Sequence, residues 1–142
     1  MTVRAVLRDK GDEIFSMPPT ATVQQVAEEL TRRRVGAVVI LDGDRLVGIL
    51  SERDIVRSIA RRGEKALEMS AASVMTAEVE TCRLDDPIDD VMHRMTGSRF
   101  RHMPVVEEGR LVGLVSIGDV VKRRIDEALR ERDEVTAYIH SI

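Results

Sequence analysis

The sequence predicts an α+β fold built from two copies of one β-α-β-β-α unit, and two observations support this prediction. The first is an internal repeat: at an offset of 65 residues, positions 23–56 align with positions 88–121 without a gap, and ten of the 34 aligned pairs are identical. The second is the order of periodicities, because in each copy a helical stripe precedes two short apolar runs joined by a glycine-containing turn. Duplication of one supersecondary unit explains both.

Each copy is expected to begin with a short strand, at 13–17 and at 78–82, and to continue into an amphipathic helix. Apolar residues recur there at positions i, i+3, i+4 and i+7, which predicts one buried helix face. They are Val23, Val26, Ala27 and Leu30 in the first copy and Ile88, Val91, Met92 and Met95 in the second. Thr20 to Thr22 can cap the first helix, while Asp85 and Asp86 before Pro87 mark the start of the second.

A hairpin and a second helix complete each copy. The apolar runs lie at 36–41 and 46–50 in the first copy and at 103–106 and 111–115 in the second. Their short connections contain glycine, which suits a tight antiparallel turn. The final helix is predicted to run from Ser51 to about Gly63, and its counterpart from Ser116 to about Ile139.

The two copies are expected to complete one another. A three-stranded sheet with its helices on one side leaves an apolar face uncovered, and about 60 residues alone form a marginal core. We therefore expect the units to pack sheet to sheet with pseudo-twofold symmetry, which would create two equivalent clefts. The predicted boundaries are 1–67 for the first unit with the N-terminal segment, 68–127 for the second unit and 128–142 for a C-terminal helical extension.

Composition narrows the class of protein. The chain of 142 residues is 43% hydrophobic and 33% charged, with a net charge of −3 and one cysteine, Cys82. This charge does not favour nucleic acid as a partner. One cysteine and no clustered Cys/His spacing predict neither a disulfide framework nor a metal site. With no signal-peptide or membrane-span pattern in the sequence, we expect a cytoplasmic protein outside the membrane.

One polar pair occurs in both copies. Ser51 and Asp54 follow the first hairpin, and Ser116 and Asp119 follow the second. Serine followed three residues later by an acid can simply cap a helix N-terminus, although Glu or Gln is the usual partner. Capping and ligand binding are compatible, so the pattern alone leaves both open. No set of nucleophile, base and orienting group is visible, and we do not expect an enzyme.

The segments 36–54 and 101–119, each a hydrophobic hairpin followed by Gly-h-h-Ser-x-x-Asp (h, hydrophobic), closely resemble the CBS-domain family. The resemblance covers nearly the whole chain and implies a tandem CBS pair, or Bateman module. Such modules are regulatory, and the clefts between their repeats bind adenosine-containing ligands such as AMP, ADP, ATP, NAD or S-adenosylmethionine. No other cofactor is expected.

The resemblance also implies residue roles. Asp54 and Asp119 would hold the ribose hydroxyls, and Ser51 and Ser116 would meet phosphate at helix N-termini, where the dipole favours anions. Arg53 stands where the family often places a basic phosphate contact, whereas the second copy has Gly118 there, so the clefts should differ.

The adenine is expected between the helix-entry loop and the start of the hairpin. The residues that would line it are Ala21, Gly36 and Ala37 in the first copy and Asp86, Arg101, His102 and Met103 in the second. Arg101 and His102 can add charge-assisted bonds to phosphate. Pro104 lacks an N–H and favours extended geometry at Met103, which would leave backbone groups there available to a ligand.

The sequence therefore predicts a stand-alone ligand sensor that forms a homodimer, with a regulated protein as a possible partner. The alternative is a structural dimerisation or partner-interaction module with no nucleotide ligand. A third class, DNA-associated regulation, lacks a basic surface in the sequence.

Overall fold

The computed structural model describes residues 1–11 and 13–141, and the chain divides into two compact units. One unit is Glu13–Glu80, and the other combines the N-terminal segment with the chain from Thr81 onwards. This division differs from the boundary predicted between residues 67 and 68. The reason is that the N-terminal segment forms a helix that packs with the second repeat, while residues 68–80 pack on the first.

Helices and strands follow the predicted β-α-β-β-α order in outline. The first unit contains β1 (Ser16–Met17), α2 (Val23–Arg33), β2 (Ala37–Asp42), β3 (Arg45–Ser51), α3 (Glu52–Arg62), a 3-10 helix (Gly63–Glu68) and α4 (Ala71–Val74). The second contains α1 (Val3–Lys10), α5 (Ile88–Ser98), β4 (His102–Glu107), β5 (Arg110–Ser116) and α6 (Ile117–Ser141). The predicted α+β class is confirmed.

The unit Glu13–Glu80 has a three-stranded sheet in the order β1-β2-β3. β1 pairs with β2 in parallel and β2 with β3 in antiparallel, with a bulge between Ile40 and Leu41. The predicted first strand is shortened to its last two residues. Thr22 caps α2 reciprocally with Gln25, so the predicted cap is found. The core lies between α2 and the hairpin, where Val26 is fully buried.

Among its described residues, the second unit has a single sheet, the two-stranded β4-β5. The strand predicted at 78–82 is wrong, because a single residue, Cys82, pairs there, in an isolated bridge to Val105. Its N–H donates to the Pro104 carbonyl at 3.0 Å, and its carbonyl accepts from the Val106 N–H at 2.9 Å. Burial, together with the nearby Asp86 carboxylate, raises the pKa of the Cys82 thiol to about 12.

The start of α5 also differs from the prediction. Pro87 is the N-cap residue, and the Asp86 carboxylate instead accepts a hydrogen bond from the Arg83 N–H at 2.9 Å. The first N–H of the helix, on Ile88, donates to the Met1 carbonyl at 3.1 Å. The N-terminal segment therefore satisfies a donor that an aspartate cap would otherwise have taken.

Helix α1 was not predicted. It buries Val3, Val6 and Leu7 in the core of the second unit. Leu7 lies against Gly113 of β5, where an added Cβ would come within 2.6 Å of the leucine Cδ1. In the first unit, Met75 lies in the same way against Gly48. The glycine repeated in the two copies therefore allows a segment from elsewhere in the chain to cross the hairpin closely.

Candidate ligand site

The first polar pair closes the start of α3. Ser51 is the N-cap residue, and its Oγ accepts from the Asp54 N–H at 3.3 Å. In return, Asp54 Oδ2 accepts from the Ser51 N–H at 2.8 Å and from the Ser51 hydroxyl at 3.1 Å. The capping interpretation left open by the sequence is therefore correct for this carboxylate oxygen.

The other carboxylate oxygen of Asp54 is held less tightly. Oδ1 lies 3.3 Å from the Thr76 hydroxyl and 3.5 Å from Arg57 Nη1, both at the long end of hydrogen-bond geometry. Asp54 is only 7% exposed. A buried carboxylate with one oxygen fixed and the other weakly bonded can accept from a ligand hydroxyl without losing its cap.

The second pair repeats the cap. Asp119 Oδ2 accepts from the Ser116 N–H at 2.9 Å, and Ser116 Oγ accepts from the Asp119 N–H at 3.1 Å. Here the carboxylate also has a cationic partner from α1. Lys10 Nζ donates to Asp119 Oδ2 at 2.6 Å and to the Leu114 carbonyl at 2.8 Å. The two copies are thus alike in their caps and different in what faces the carboxylate.

The protonation of Asp119 reflects this partner. Burial by itself would raise the pKa of Asp119, but the Lys10 hydrogen bond, the Ser116 N–H and the Lys10 charge together outweigh burial and lower it. Asp119 is therefore an anion at neutral pH, already paired with a cation.

A cavity adjoins the first carboxylate. Its volume is about 350 Å³, at the lower end of the range for small-molecule sites. Asp54, Arg57 and Arg61 line it from α3, together with Met69 and residues 73–76 from the segment that follows. The site predicted at Asp54 thus has an adjoining space of ligand size within a single unit.

A second cavity, of about 360 Å³, adjoins Asp119 in the other unit. Its charged lining contains equal numbers of acidic and basic residues: Asp9, Lys10, Asp119, Lys122, Arg123 and Asp126. Two of these cations are paired, since Arg123 forms an ion pair with Asp9 and Lys10 with Asp119.

The basic residue beside the first site is different from the one predicted. Arg53 is exposed on α3 and does not line the cavity at Asp54, whereas Arg57 does. The spacing explains this difference, because residues 54 and 57 share a helix face while residue 53 points about 100° away. That i, i+3 relation was visible in the sequence.

The residues predicted to contact adenine in the first copy are buried in the core or form backbone hydrogen bonds within the fold. Ala21 and Ala37 are buried. The Ala21 carbonyl accepts from the Ala71 N–H at 2.7 Å, and the Gly36 carbonyl accepts from the Glu52 N–H at 3.0 Å. None of the three lines the cavity at Asp54. Their role in base recognition stays a prediction.

The corresponding residues of the second copy differ in burial and in their hydrogen-bond or ion-pair partners. Met103 is fully buried in the core, and His102 is half-buried opposite Ser116 in the hairpin. Arg101 is exposed, and its carbonyl accepts from the Ile117 N–H at 2.8 Å. Asp86 lies 3.8 Å from Arg94. None of the four lines the cavity beside Asp119, so their contact with a ligand also stays a prediction.

Within residues 1–11 and 13–141, no group of three or more His, Cys, Asp or Glu side chains is arranged to hold a metal ion. In the same part of the chain, no helix has both the length and the apolar character needed to cross a bilayer.

Comparison with known proteins defines the class. The family model for the CBS domain matches residues 3–61 and 71–126, which together make up most of the chain. The chain therefore belongs to the CBS-domain family and carries two copies of the domain. The family that the hairpin and the Ser-x-x-Asp motif indicated is thereby confirmed.

Three similar proteins illustrate the match. The mitochondrial CBS domain-containing protein CBSX3 of Arabidopsis thaliana is 33% identical over 123 residues, which is 83% of this chain and 60% of that protein. A CBS-domain-containing protein from Agrobacterium tumefaciens, solved by crystallography, is 40% identical with a TM-score of 0.85, over 87% of this chain and 99% of that one. A CBS domain protein from Pyrobaculum aerophilum, solved in complex with AMP, is 33% identical with a TM-score of 0.74, over 84% and 89% of the chains.

Proposed function

We propose that this CBS pair is a regulatory module that binds an adenosine-containing ligand through its motif aspartates. The observation that carries the proposal is Asp54: a buried carboxylate, anchored through one oxygen, that borders a cavity of about 350 Å³. A carboxylate can accept from two adjacent hydroxyls, which suits a ribose diol. The AMP complex of the Pyrobaculum aerophilum relative supports the same ligand class.

The two sites are unequal in this proposal. Asp54 faces its cavity with Arg57 at 3.5 Å, whereas Asp119 is bonded to Lys10 at 2.6 Å. Lys10 bonds Oδ2, the oxygen that also makes the cap, and its positive charge offsets the carboxylate charge that a ligand hydroxyl would otherwise meet. The first site is therefore the one with higher affinity.

Calorimetric titration tests the proposal. Wild-type protein is titrated with AMP, ATP, NAD and S-adenosylmethionine, and the titrations are repeated with Asp54→Asn. This variant retains a carbonyl oxygen for the cap but loses the charge, so we expect an affinity loss of about tenfold or more, because hydrogen bonds to a charged group are the stronger ones. Asp42→Asn on the hairpin turn is the matched control. Absence of heat with all four ligands would leave the structural alternative.

The proposed module is a homodimer. Val56 is 66% exposed and Ile59 is 42% exposed on α3, and Val121 and Ile125 are exposed on α6. Val56 and Val121 stand at matching positions of the two repeats, and exposed apolar groups of this kind suit an interface between copies. Sedimentation equilibrium on wild type and on Val56→Asp measures this directly: the wild type should have twice the chain mass, and the variant should dissociate more readily.

The proposed signalling mechanism couples the ligand site to the conformation of the module and to its dimer contact. Ligand binding changes the conformation of the module or its contact with a second copy, which a regulated protein partner then detects. Neither nucleic acid nor membrane is a partner in this proposal, and the module has no catalytic role. The cytoplasm remains its expected location.

A further inference from the structure

The cavity beside Asp54 has a basic wall that the motif does not explain. Residues 54, 57, 58 and 61 follow the i, i+3, i+4, i+7 spacing and line the cavity from one face of α3. Arg62 also lines it, which gives three guanidinium groups and one carboxylate. The cavity beside Asp119 has three cations and three carboxylates instead. Only the first cavity therefore has a clear excess of positive charge.

The start of α3 is a poor candidate for the phosphate that was expected there. The Ser51 hydroxyl bonds Asp54, both as donor and as acceptor. The Glu52 N–H donates to the Gly36 carbonyl, and the Asp54 N–H donates to Ser51. These groups already have partners, so an anion at this end would have to break the cap. The arginines offer the stronger anion-binding chemistry.

Helix-dipole compensation alone does not account for the arginines. Arg61 and Arg62 lie in the last turn of α3, where cations are favourable. Arg57 lies earlier in the helix, away from its C-terminal end, and its Nη1 is 3.5 Å from Asp54 Oδ1. The lining also includes Met69 and Val74, which are apolar and do not neutralise the arginines. The result is a half-open basic groove that starts at the proposed ribose position.

The distance from Asp54 to the arginines along α3 indicates how long a phosphate chain must be to reach each of them. Seven residues separate Asp54 from Arg61, which is about 10 Å at the α-helical rise. A single phosphate on a ribose held by Asp54 can meet Arg57. Arg61 and Arg62 lie farther along the groove and need a longer chain of phosphates.

We propose that the groove lined by Arg57, Arg61 and Arg62 binds the phosphate chain of a nucleoside di- or triphosphate, and that it makes the Asp54 site select such ligands over monophosphates. This inference rests on the proposed function, because it takes the ribose to lie at Asp54. It adds three residues and a ligand class to that function. S-adenosylmethionine, with its sulfonium cation, is disfavoured at this site.

The test compares AMP, ADP, ATP and inorganic tripolyphosphate by calorimetry in EDTA. Wild type should bind ADP and ATP at least tenfold more tightly than AMP. The double variant Arg61→Gln, Arg62→Gln should lose about tenfold in ATP affinity while AMP affinity stays within about twofold. The charge-matched control is Arg45→Gln with Arg130→Gln, two exposed arginines away from the cavity. Thermal melts verify that each variant is folded.

The outcomes separate this inference from the proposed function. Equal AMP and ATP affinities in wild type, or a loss in the double variant no larger than in the control, overturn phosphate-chain selection and leave adenosine binding intact. Tripolyphosphate binding without AMP, ADP or ATP binding supports the basic groove as an anion site but overturns selection of nucleoside di- and triphosphates at Asp54. No binding of any of the four compounds overturns phosphate-chain selection, and the titrations with NAD and S-adenosylmethionine then decide the adenosine function.

Discussion

Replacing Lys10 by Met tests whether α1 holds the second motif aspartate. Lys10 Nζ makes two hydrogen bonds, at 2.6 Å to Asp119 and 2.8 Å to the Leu114 carbonyl. Hydrogen bonds to charged groups contribute about 1.5–3 kcal/mol when buried, but exposed ion pairs contribute about 0.2–1 kcal/mol. The Lys10 and Asp119 side chains are 37% and 26% exposed. We therefore expect Lys10→Met to lower the free energy of unfolding by about 1 kcal/mol at pH 7.

The stability loss in Lys10→Met should depend on pH, and the direction of the pKa shift of Asp119 predicts how. Because the folded-state pKa of Asp119 is lowered, its stabilising contribution is present above the unfolded-state pKa and is lost as the pH falls through the folded-state pKa. The deficit of the variant should therefore shrink below about pH 4. Without Lys10, burial remains and the pKa of Asp119 should rise.

Urea unfolding at pH 7 and pH 3 measures the deficit, and carbon NMR of the Asp119 carboxyl measures its pKa in both proteins. Lys65→Met, an exposed substitution on the 3-10 helix, controls for the general loss of a positive charge. An Asp119 pKa unchanged in Lys10→Met, or a stability loss no greater than in the control, would refute the proposed contact.

Three further predictions concern the fold. Gly113→Ala should lower the free energy of unfolding by about 1–2 kcal/mol in urea titrations, because its Cβ would meet Leu7. Gly97→Ala, the same change in open space on α5, should instead raise it by about 0.5–1 kcal/mol, and equal effects would contradict this account. Thr22→Ala should cost about 1 kcal/mol through loss of the α2 cap, measured in the same way. Native Cys82 should be inert to a thiol reagent at pH 8 and react once unfolded; rapid native reaction would contradict its burial.

Much of the fold could be predicted because it repeats and follows simple periodicities. The helix from Val23 to Arg33 has both a clear apolar stripe and a capping box at Thr22. The two hairpins have apolar runs on either side of short glycine-containing turns. The 34-residue match between copies then transfers each assignment to the other half of the chain.

The parts without a counterpart in the repeat could not be predicted in this way. Helix α1 has eight residues with charges every few positions, and its stability comes from packing Val3, Val6 and Leu7 on a distant part of the chain. The same applies to the contact of Lys10 with Asp119, which are separated by 109 positions. The local sequence pattern around either residue gives no information on a contact between residues so far apart in the chain.

The candidate site could be predicted in part. The Ser-x-x-Asp pairs start helices as expected, and both Asp54 and Asp119 adjoin cavities. The motif pointed to Arg53, which is next to Asp54 in the sequence, whereas the basic residue that lines the cavity is Arg57, which shares the helix face of Asp54. Ala21, Ala37 and Met103 fill the core, which their apolar character would also have allowed.

The position of the ribose is the most direct test of the central claim that Asp54 both caps α3 and binds ligand. A crystal structure with bound ATP should place a ribose hydroxyl about 2.7 Å from Asp54 Oδ1, a normal O–H···O distance, while Oδ2 keeps the Ser51 N–H. A nucleotide bound elsewhere, with Asp54 bonded only to its own chain, would contradict the account.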